Sequence, residues 1–415
     1  MAPYLHMNCL EKDNIPAGYK DSAVGIIPQE WEVKFFNDVC TFINGRAYKQ
    51  EELLLQGKYP VLRVGNFFTN TNWYYSDIEL DENKYANRGD LLYAWSASFG
   101  PRFWDGEKVI YHYHIWKIEV SNVIDKFFLY NYFELDARKL YNQIQGGTMA
   151  HITKGDMEQR HIPIPPIGEQ RKIAEILGVW DEAIEKQSRL IEKLELRKRG
   201  LMQRLLTGRT RLPGFTTPWQ KIKLGEICKR VTRRNEENCQ NVMTISAQRG
   251  FVSQTDFFNK SVASSTLDNY YLVHKDEFCY NKSYSNGYPM GAIKRLKETE
   301  KAVVTTLYIC FSIADCKRLD INFFEQYCEF GGLNRGLTKV ANEGGRAHGL
   351  LNVTPSDFFG LQLLLPSLSE QKAIAEVLTV ADNEIATHRK KLDALRQQKR
   401  GLMQQLLTGK TRIKI

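Results

Sequence analysis

Arg46, Lys49, Arg63, Asn66, Ser96, Ser98, Arg102 and His151 fall in the loops of the first half of this sequence; Arg233, Arg234, Gln248, Arg249, Lys282, Ser283, Asn286 and Arg346 fall in those of the second. These residue types read nucleic acid: Arg and Lys reach phosphate or the edge of guanine, Asn and Gln pair with adenine, and Ser serves either. Trp73, Trp95, Trp104 and Trp116 offer flat surfaces on which a base can stack, although core packing is the commoner use of such rings. The balance of 57 Lys and Arg against 48 Asp and Glu leaves a net charge of +9, which leans toward a polyanionic partner.

Signatures of catalysis are missing by contrast. The TGKT at 408–411 resembles the end of a phosphate-binding loop, but Gln404 stands where that loop needs glycine and no strand pattern precedes it. No G-x-G-x-x-G follows a strand, and neither G-x-S-x-G nor H-E-x-x-H occurs; the Asn/Asp-Pro-Pro-aromatic motif of amino-methyltransferases is absent too. DGEK at 105–108 has the acid-lysine arrangement common in nucleases, in a string short enough to arise by accident. The eight cysteines are scattered without a C-x-x-C pair, so buried thiols are expected and a metal site is not. The N-terminal residues lack the layout of a signal peptide and no apolar run spans a bilayer, so a cytoplasmic location without membrane contact is expected.

The loops must be positioned by something, and the sequence writes that scaffold twice. RGLMQRLLTGRTRL at 199–212 returns as RGLMQQLLTGKTRI at 400–413, and the match extends without a gap at offset 201 back to His151 and Asn352. Trp31 and Cys40 recur as Trp219 and Cys228 at offset 188. A chain of 415 residues is therefore two tandem units, a period far too long for a solenoid. Its composition, 43% hydrophobic and 25% charged, suits folded cores.

Apolar residues in the repeat alternate steps of four and three: Ile173, Leu177, Trp180, Ile184, Ile191, Leu194, Leu201 and Leu205, then Ile374, Leu378, Ile385, Leu392, Leu395, Leu402 and Leu406. The spacing predicts two long helices, each roughly 58 Å at 1.5 Å per residue, paired as an antiparallel coiled coil about a pseudo-two-fold axis. Gln187, His388, Lys198 and Lys399 interrupt the seam, where polar residues set register. Pro165 and Pro166 bound the first helix; Ser367 and Glu370 read as a capping box for the second, and Gly208 and Gly409 as terminators. Gly200 and Gly401, inside the helices, suggest either close approach of another helix or hinges. The basic ends, Arg197, Lys198, Arg199, Arg204, Arg209 and Arg211 in the first copy, either complement the helix dipole or touch phosphate or a partner. Between the helices, runs such as GDLLYAWSAS and KAVVTTLYICFSI predict short strands, so the fold class expected is α+β.

Two variable domains, each closed by P-x-x-x-EQ-x-x-IAE-x-L and a long helix ending in RGLMQ-x-LLTG, together with the lead-in GYKDSAVGIIPQEWEV, resemble the DNA specificity subunit of type I restriction-modification systems over essentially the whole chain. The resemblance implies a lead-in at 1–30, target recognition domains at 31–165 and 209–366, and spacer helices at 166–208 and 367–415. It further implies that each domain reads one half of a bipartite site on double-stranded DNA. The helices would set the spacing and dock two modification subunits and, through them, restriction subunits. S-adenosylmethionine, ATP and magnesium would then belong to those partners, and this chain would be a reader without chemistry of its own. Two alternatives are a coiled-coil interaction protein without sequence-specific DNA binding and a stand-alone nuclease or methyltransferase.

Overall fold

A computed structural model describes residues 15–68, 70–96, 98–143, 152–254, 267–343 and 351–413. The chain divides into two units, one built from residues 1–188 and 391–415, the other from 189–390. Each predicted long helix is a single uninterrupted element, Ile167–Leu205 and Leu368–Leu406, and each gives its first part to one unit and its last part to the other.

Within the first unit a four-stranded antiparallel sheet runs in the order Cys40–Asn44, Ile115–Val120, Leu91–Ser96, Ser98–Phe103. Leu91, Leu92, Tyr93 and Ala94 are all buried, as expected of a strand covered on both faces. With the two-residue period of a strand, Leu91 and Tyr93 enter a core with the helix Lys126–Gln143, while Leu92 and Ala94 enter a second core with Leu62, Phe67 and Trp104. A smaller sheet, Tyr74–Ser76, Tyr59–Leu62, Val109–Tyr111, Tyr85–Ala86, lies on that second side; its one parallel pair joins Tyr59–Leu62 to Val109–Tyr111.

The second unit repeats the plan with different residues. Its antiparallel sheet is ordered Cys228–Val231, Ile309–Ile313, Phe278–Asn281, Ala292–Arg295. Phe278 and Tyr280 face the helical core and Cys279 faces the other one. The hairpin Met243–Ser246/Gly250–Ser253 and the pair Tyr271–His274/Lys301–Val304 take the place of the smaller sheet, linked by a parallel bridge from Val242 to Val303. Before each main sheet the strand carrying the offset-188 match pairs with the strand that enters the long helix: Glu32–Phe35 with His161–Ile164, and Gln220–Lys223 with Gln362–Leu365.

Paired carboxylates and cations fix the direction of the helices inside each unit. In the first, Lys399 Nζ donates to Asp181 Oδ1 at 2.6 Å and Arg412 Nε to Glu169 Oε1 at 2.9 Å. In the second, Lys198 donates to Asp382 at 2.5 Å, Arg211 to Glu370 at 2.6 Å, and Arg197 to Glu384. One partner rises in number as the other falls, so the segments are antiparallel, and both bonds of the first unit have counterparts 201 residues away in the second, where Arg197–Glu384 is added. The basic helix ends thus spend Arg197, Lys198 and Arg211 on carboxylates of the other helix, and these three are not held for phosphate.

Of the seam residues, Ile173, Leu177, Ile191, Leu194, Leu205, Ile374, Leu378, Ile385, Leu392 and Leu406 are buried. Trp180, Ile184, Leu201, Leu395 and Leu402 are half-buried. Two expectations change. Gly200 and Gly401 have nothing within 4 Å of where a Cβ would stand, and the helices continue through them, so no close approach explains them. The capping box forms only half: Glu370 N donates to Ser367 Oγ at 3.4 Å, but the Glu370 carboxylate turns to Arg211 and Trp219, because a charged, bidentate partner outweighs a single backbone N–H.

Candidate nucleic-acid interface

One end of each main sheet is tied to the long helices. In the first unit Glu169 is 1% exposed and accepts from Trp31 Nε1 at 3.0 Å and from Arg412. Gln170 accepts from Asp125 N and donates to the carbonyls of Val123 and Pro165, and Asp125 in turn caps the helix Lys126–Gln143 through Phe127 N and Phe128 N. In the second unit Glu370 accepts from Trp219 and Arg211, Gln371 accepts from Asp320 N and donates to the carbonyls of Arg318 and Pro366, and Asp320 caps the helix Ile321–Glu329. Met403 and Leu407 enter the first helical core, Met202 and Leu206 the second. The repeated Glu-Gln pair, the Met and the terminal Arg stand in the duplicated motifs, and Glu370 and Arg211 are legible there as a capping residue and a basic helix end; that they bond across to the Trp, the loop carbonyls and the other helix is not read from the sequence.

The opposite end of each sheet carries the loops. In the first unit it is the end of Asn44, Ile115, Ser96 and Ser98; in the second, of Val231, Ile309, Asn281 and Ala292. Ser96 and Ser98 face each other across the hairpin at this end. Arg46 lies just beyond Asn44, but its guanidinium is bidentate to Glu52 at 2.7 and 3.1 Å and lies over Tyr48, and the Glu52 hydrogen bond raises its pKa further above the ordinary range. It braces the loop rather than reaching outward. Lys49 is exposed beside Glu51. Arg63 follows the strand Tyr59–Leu62, lies over the Tyr74 ring at 5.3 Å, and makes no ion pair among the described residues. Asn66 closes its own loop by donating to the carbonyls of Asn70 and Asn72. Arg102 is displaced toward the helix end of its strand, opposite Leu92 and over Phe67 and Phe68.

In the second unit the loops converge more fully. Gln248 Nε2 donates to the Asn286 carbonyl at 3.1 Å and Asn281 Nδ2 to the Ile245 carbonyl at 3.2 Å, which brings the hairpin turn with Gln248 and Arg249 against the loop of Lys282, Ser283 and Asn286. Arg233 is exposed but bound to Glu277 and to the Leu272 carbonyl, whereas Arg234 lies over Tyr271 with its guanidinium on the Asn269 carbonyl. His151 and Arg346 lie outside the described residues.

The free end of the first unit holds a cluster that the candidate set omits. Residues 112–114 join the strand Val109–Tyr111 to Ile115–Val120; His112 stacks on Tyr48, and His114 and Tyr113 pack edge-on against Trp95, whose Nε1 donates to the Tyr113 carbonyl at 2.8 Å. Burial, with His114 and Arg63 nearby, pushes the His112 pKa down to about 4, and burial lowers that of His114. Both imidazoles are therefore neutral at physiological pH, each offering one donor and one acceptor. Of the four tryptophans, Trp95 alone stands among these loops; Trp116 and Trp104 are core residues and Trp73 packs on Trp104. The run YHYH, polar aromatics between two strands, was the legible sign of this cluster.

Among the described residues no group of His, Cys, Asp or Glu is placed to hold a metal ion, and no helix is long and apolar enough to cross a membrane. Residues 28–196 and 217–397 match the family model described as type I restriction modification DNA specificity domain. Among curated relatives, the chain is 24% identical over 433 residues to the type I restriction enzyme MjaVIII specificity subunit of Methanocaldococcus jannaschii, covering 94% of both chains. It is 24% identical over 456 residues to the putative MjaX specificity subunit of the same organism, covering 95% of this chain and 97% of that one. The type-I restriction-modification S subunit from M. genitalium shares the fold at a TM-score of 0.53 and 17% identity, over 91% of this chain and 96% of that one.

Proposed function

Because the chain belongs to the type I restriction-modification DNA specificity family, we propose that its two domains, 31–165 and 209–366, each read one half of a bipartite, asymmetric site on double-stranded DNA. The chain is the specificity subunit of such a system, with two tandem DNA specificity domains, and supplies recognition rather than catalysis. One observation carries the two-reader proposal: the sheet ends tied to the helices repeat residue for residue, while the free ends carry unrelated side chains on equivalent strands. Two copies of one frame with different reading surfaces suit a target whose halves differ.

In this reading the lead-in 1–30 and the helical segments 166–208 and 367–415 hold the domains, set the spacing of the half-sites and dock two modification subunits, with restriction subunits joined through them. The partners hold S-adenosylmethionine, ATP and magnesium, and the assembly works in the cytoplasm, where its DNA is. The test is single-molecule sequencing of methylated adenine in cells expressing this chain with its modification subunit. A split motif with a fixed gap is expected, absent from cells lacking the chain. No new methylation from a complex with an active modification subunit would leave an interaction protein without sequence-specific binding.

A further inference from the structure

The connection between the third and fourth strands of the main sheet differs between the two domains. In the first, Ser96 and Ser98 pair directly; in the second, ten residues, 282–291, stand between the paired Asn281 and Ala292. These ten are held from several sides. Within the loop, Ser285 and Tyr288 exchange backbone bonds at 3.3 and 2.8 Å around Asn286 and Gly287, and Gly287 has φ +80°, which a tight turn of this kind asks of its second central residue. From outside it, Gln248 Nε2 holds the Asn286 carbonyl, Leu351 N donates to the Lys282 carbonyl at 3.1 Å, and Tyr280 Oη donates to the Met290 carbonyl at 2.8 Å. The Tyr288 side chain anchors the turn. Its hydroxyl donates to Glu329 Oε2 at 2.9 Å and accepts from Lys294 Nζ at 3.3 Å, and Lys294, 7% exposed, closes the triangle on Glu329 Oε1 at 2.5 Å.

Joining the two strands takes one residue, as the first domain shows, and a buried lysine–carboxylate pair is a costly way to hold a loop that does nothing else. Asn286 and Tyr284 stand exposed at this turn, Tyr284 by 62%. Gln248 takes only the Asn286 carbonyl, so the side-chain amide is left to meet a ligand. A two-stranded turn fits the major groove, where an Asn amide matches adenine by donating to N7 and accepting from the N6 amino group. We propose that Asn286 reads an adenine in the half-site of the second domain, and that Tyr288, Lys294 and Glu329 are positioning residues that hold its turn in reading geometry. This rests on the two-reader function proposed above and adds the base that is read and the anchor behind the reader.

The experiment uses the full chain with its modification subunit. Methylated-adenine sequencing is run for the native chain, Asn286→Ala and Tyr288→Phe, followed by binding to duplexes in which an adenine analogue with carbon in place of N7 stands at the affected position. Asn286→Ala, a surface change that leaves the anchor intact, is expected to relax one A·T position in one half-site and to leave the other half unchanged. The native complex is expected to lose about tenfold in affinity, within the range of a single mismatched pair, when that adenine loses N7, and Asn286→Ala to be indifferent to the change. Tyr288→Phe keeps the ring and removes only the hydroxyl; it is expected to relax the same position and no other. A merely structural role for the anchor would instead weaken every position of that half together. An unchanged motif in Asn286→Ala, or loss of both halves, overturns the base reading, and weaker assembly with the modification subunit under an unchanged motif would make the turn a protein contact instead. Relaxation of the whole half-site, or of no position, in Tyr288→Phe overturns the positioning role. Absence of any split motif with the native chain overturns the two-reader function itself.

Discussion

The tied end and the free end of each sheet follow different rules. At the tied end the two units share a set of bonds: Trp31 and Trp219 donate to Glu169 and Glu370, Arg412 and Arg211 close on the same carboxylates, and Gln170 and Gln371 each bridge a helix cap to a proline carbonyl. At the free end His112, Tyr113 and His114 correspond to Thr305, Thr306 and Leu307, and the directly paired Ser96 and Ser98 stand where a ten-residue loop follows Asn281. The buried polar groups of the tied end lose their partners with any substitution, and an orphaned buried group is costly. The turns that lead into the second strand, 112–115 and 305–308, are closed by backbone bonds, so the side chains on them vary without disturbing the frame. A reading surface is replaceable where the backbone alone shapes it.

Glu169→Ala and Glu370→Ala test that rule most severely. Each removes a bidentate arginine contact and an indole bond from a site of no more than 1% exposure. A loss of about 2–3 kcal/mol is expected, the cost of hydrogen bonds to a charged group. Amide hydrogen exchange, which resolves the units, should show each variant loosening the unit that holds it; equal loosening of both by either variant would break the comparison.

The helix terminators then separate two positions that look identical in sequence. Gly409 has φ +72° and Gly208 φ +70°, so alanine costs about 1–2 kcal/mol at either. A Cβ on Gly409 would stand 2.3 Å from Pro28 Cδ, whereas on Gly208 it would meet Trp219 at an ordinary 3.5 Å. Gly409→Ala is therefore expected to destabilise by at least 1 kcal/mol more than Gly208→Ala, as read from urea midpoints. Equal losses would mean that the lead-in around Pro28 shifts freely.

Much of the tied end was legible in sequence, because duplication exposes contacts that must be made twice: the helices, their ends at Gly208 and Gly409, the paired Trp31 and Trp219, and the α+β alternation. The partners of Lys198 and Lys399 were not, since Asp382 and Asp181 lie on the other helix and only tertiary pairing joins them. At the free end residue type misled. Arg46 and Arg233 have the chemistry of DNA contacts but are consumed by Glu52 and Glu277, carboxylates 6 and 44 residues away, while the YHYH turn carries little charge and escaped a search for cations. Pairing of charges is a property of the fold, and composition is blind to it.

The glycines inside the helices should reverse the sign of the effect. Gly200 and Gly401 lie in open surroundings with helical backbone, so Gly200→Ala and Gly401→Ala are each expected to stabilise by up to about 1 kcal/mol through helix propensity. A gain in both urea midpoints would show that the duplicated glycine is not required by packing. A loss at either would restore the close approach that the sequence suggested.

The smallest effect depends on pH and should appear in one unit only. Folding holds the His112 pKa near 4, against about 6.5 in the unfolded chain. Between those values the unfolded state binds the extra proton, so this residue's contribution to stability is complete above pH 6.5 and is lost as pH falls toward 4. A full one-proton slope would be about 1.4 kcal/mol per pH unit, and solvent screening at this half-buried ring leaves a fraction of that. The second domain has Thr305 at the corresponding place and lacks this contribution. Hydrogen-exchange protection of the first unit should weaken from pH 7 to pH 5 after correction for intrinsic rates, and His112→Gln should flatten the slope to what His114, shifted the same way, leaves behind. An unchanged slope in His112→Gln would mean that this ring titrates as it does in water, and that the free end of the first domain is as open there as the loops around it.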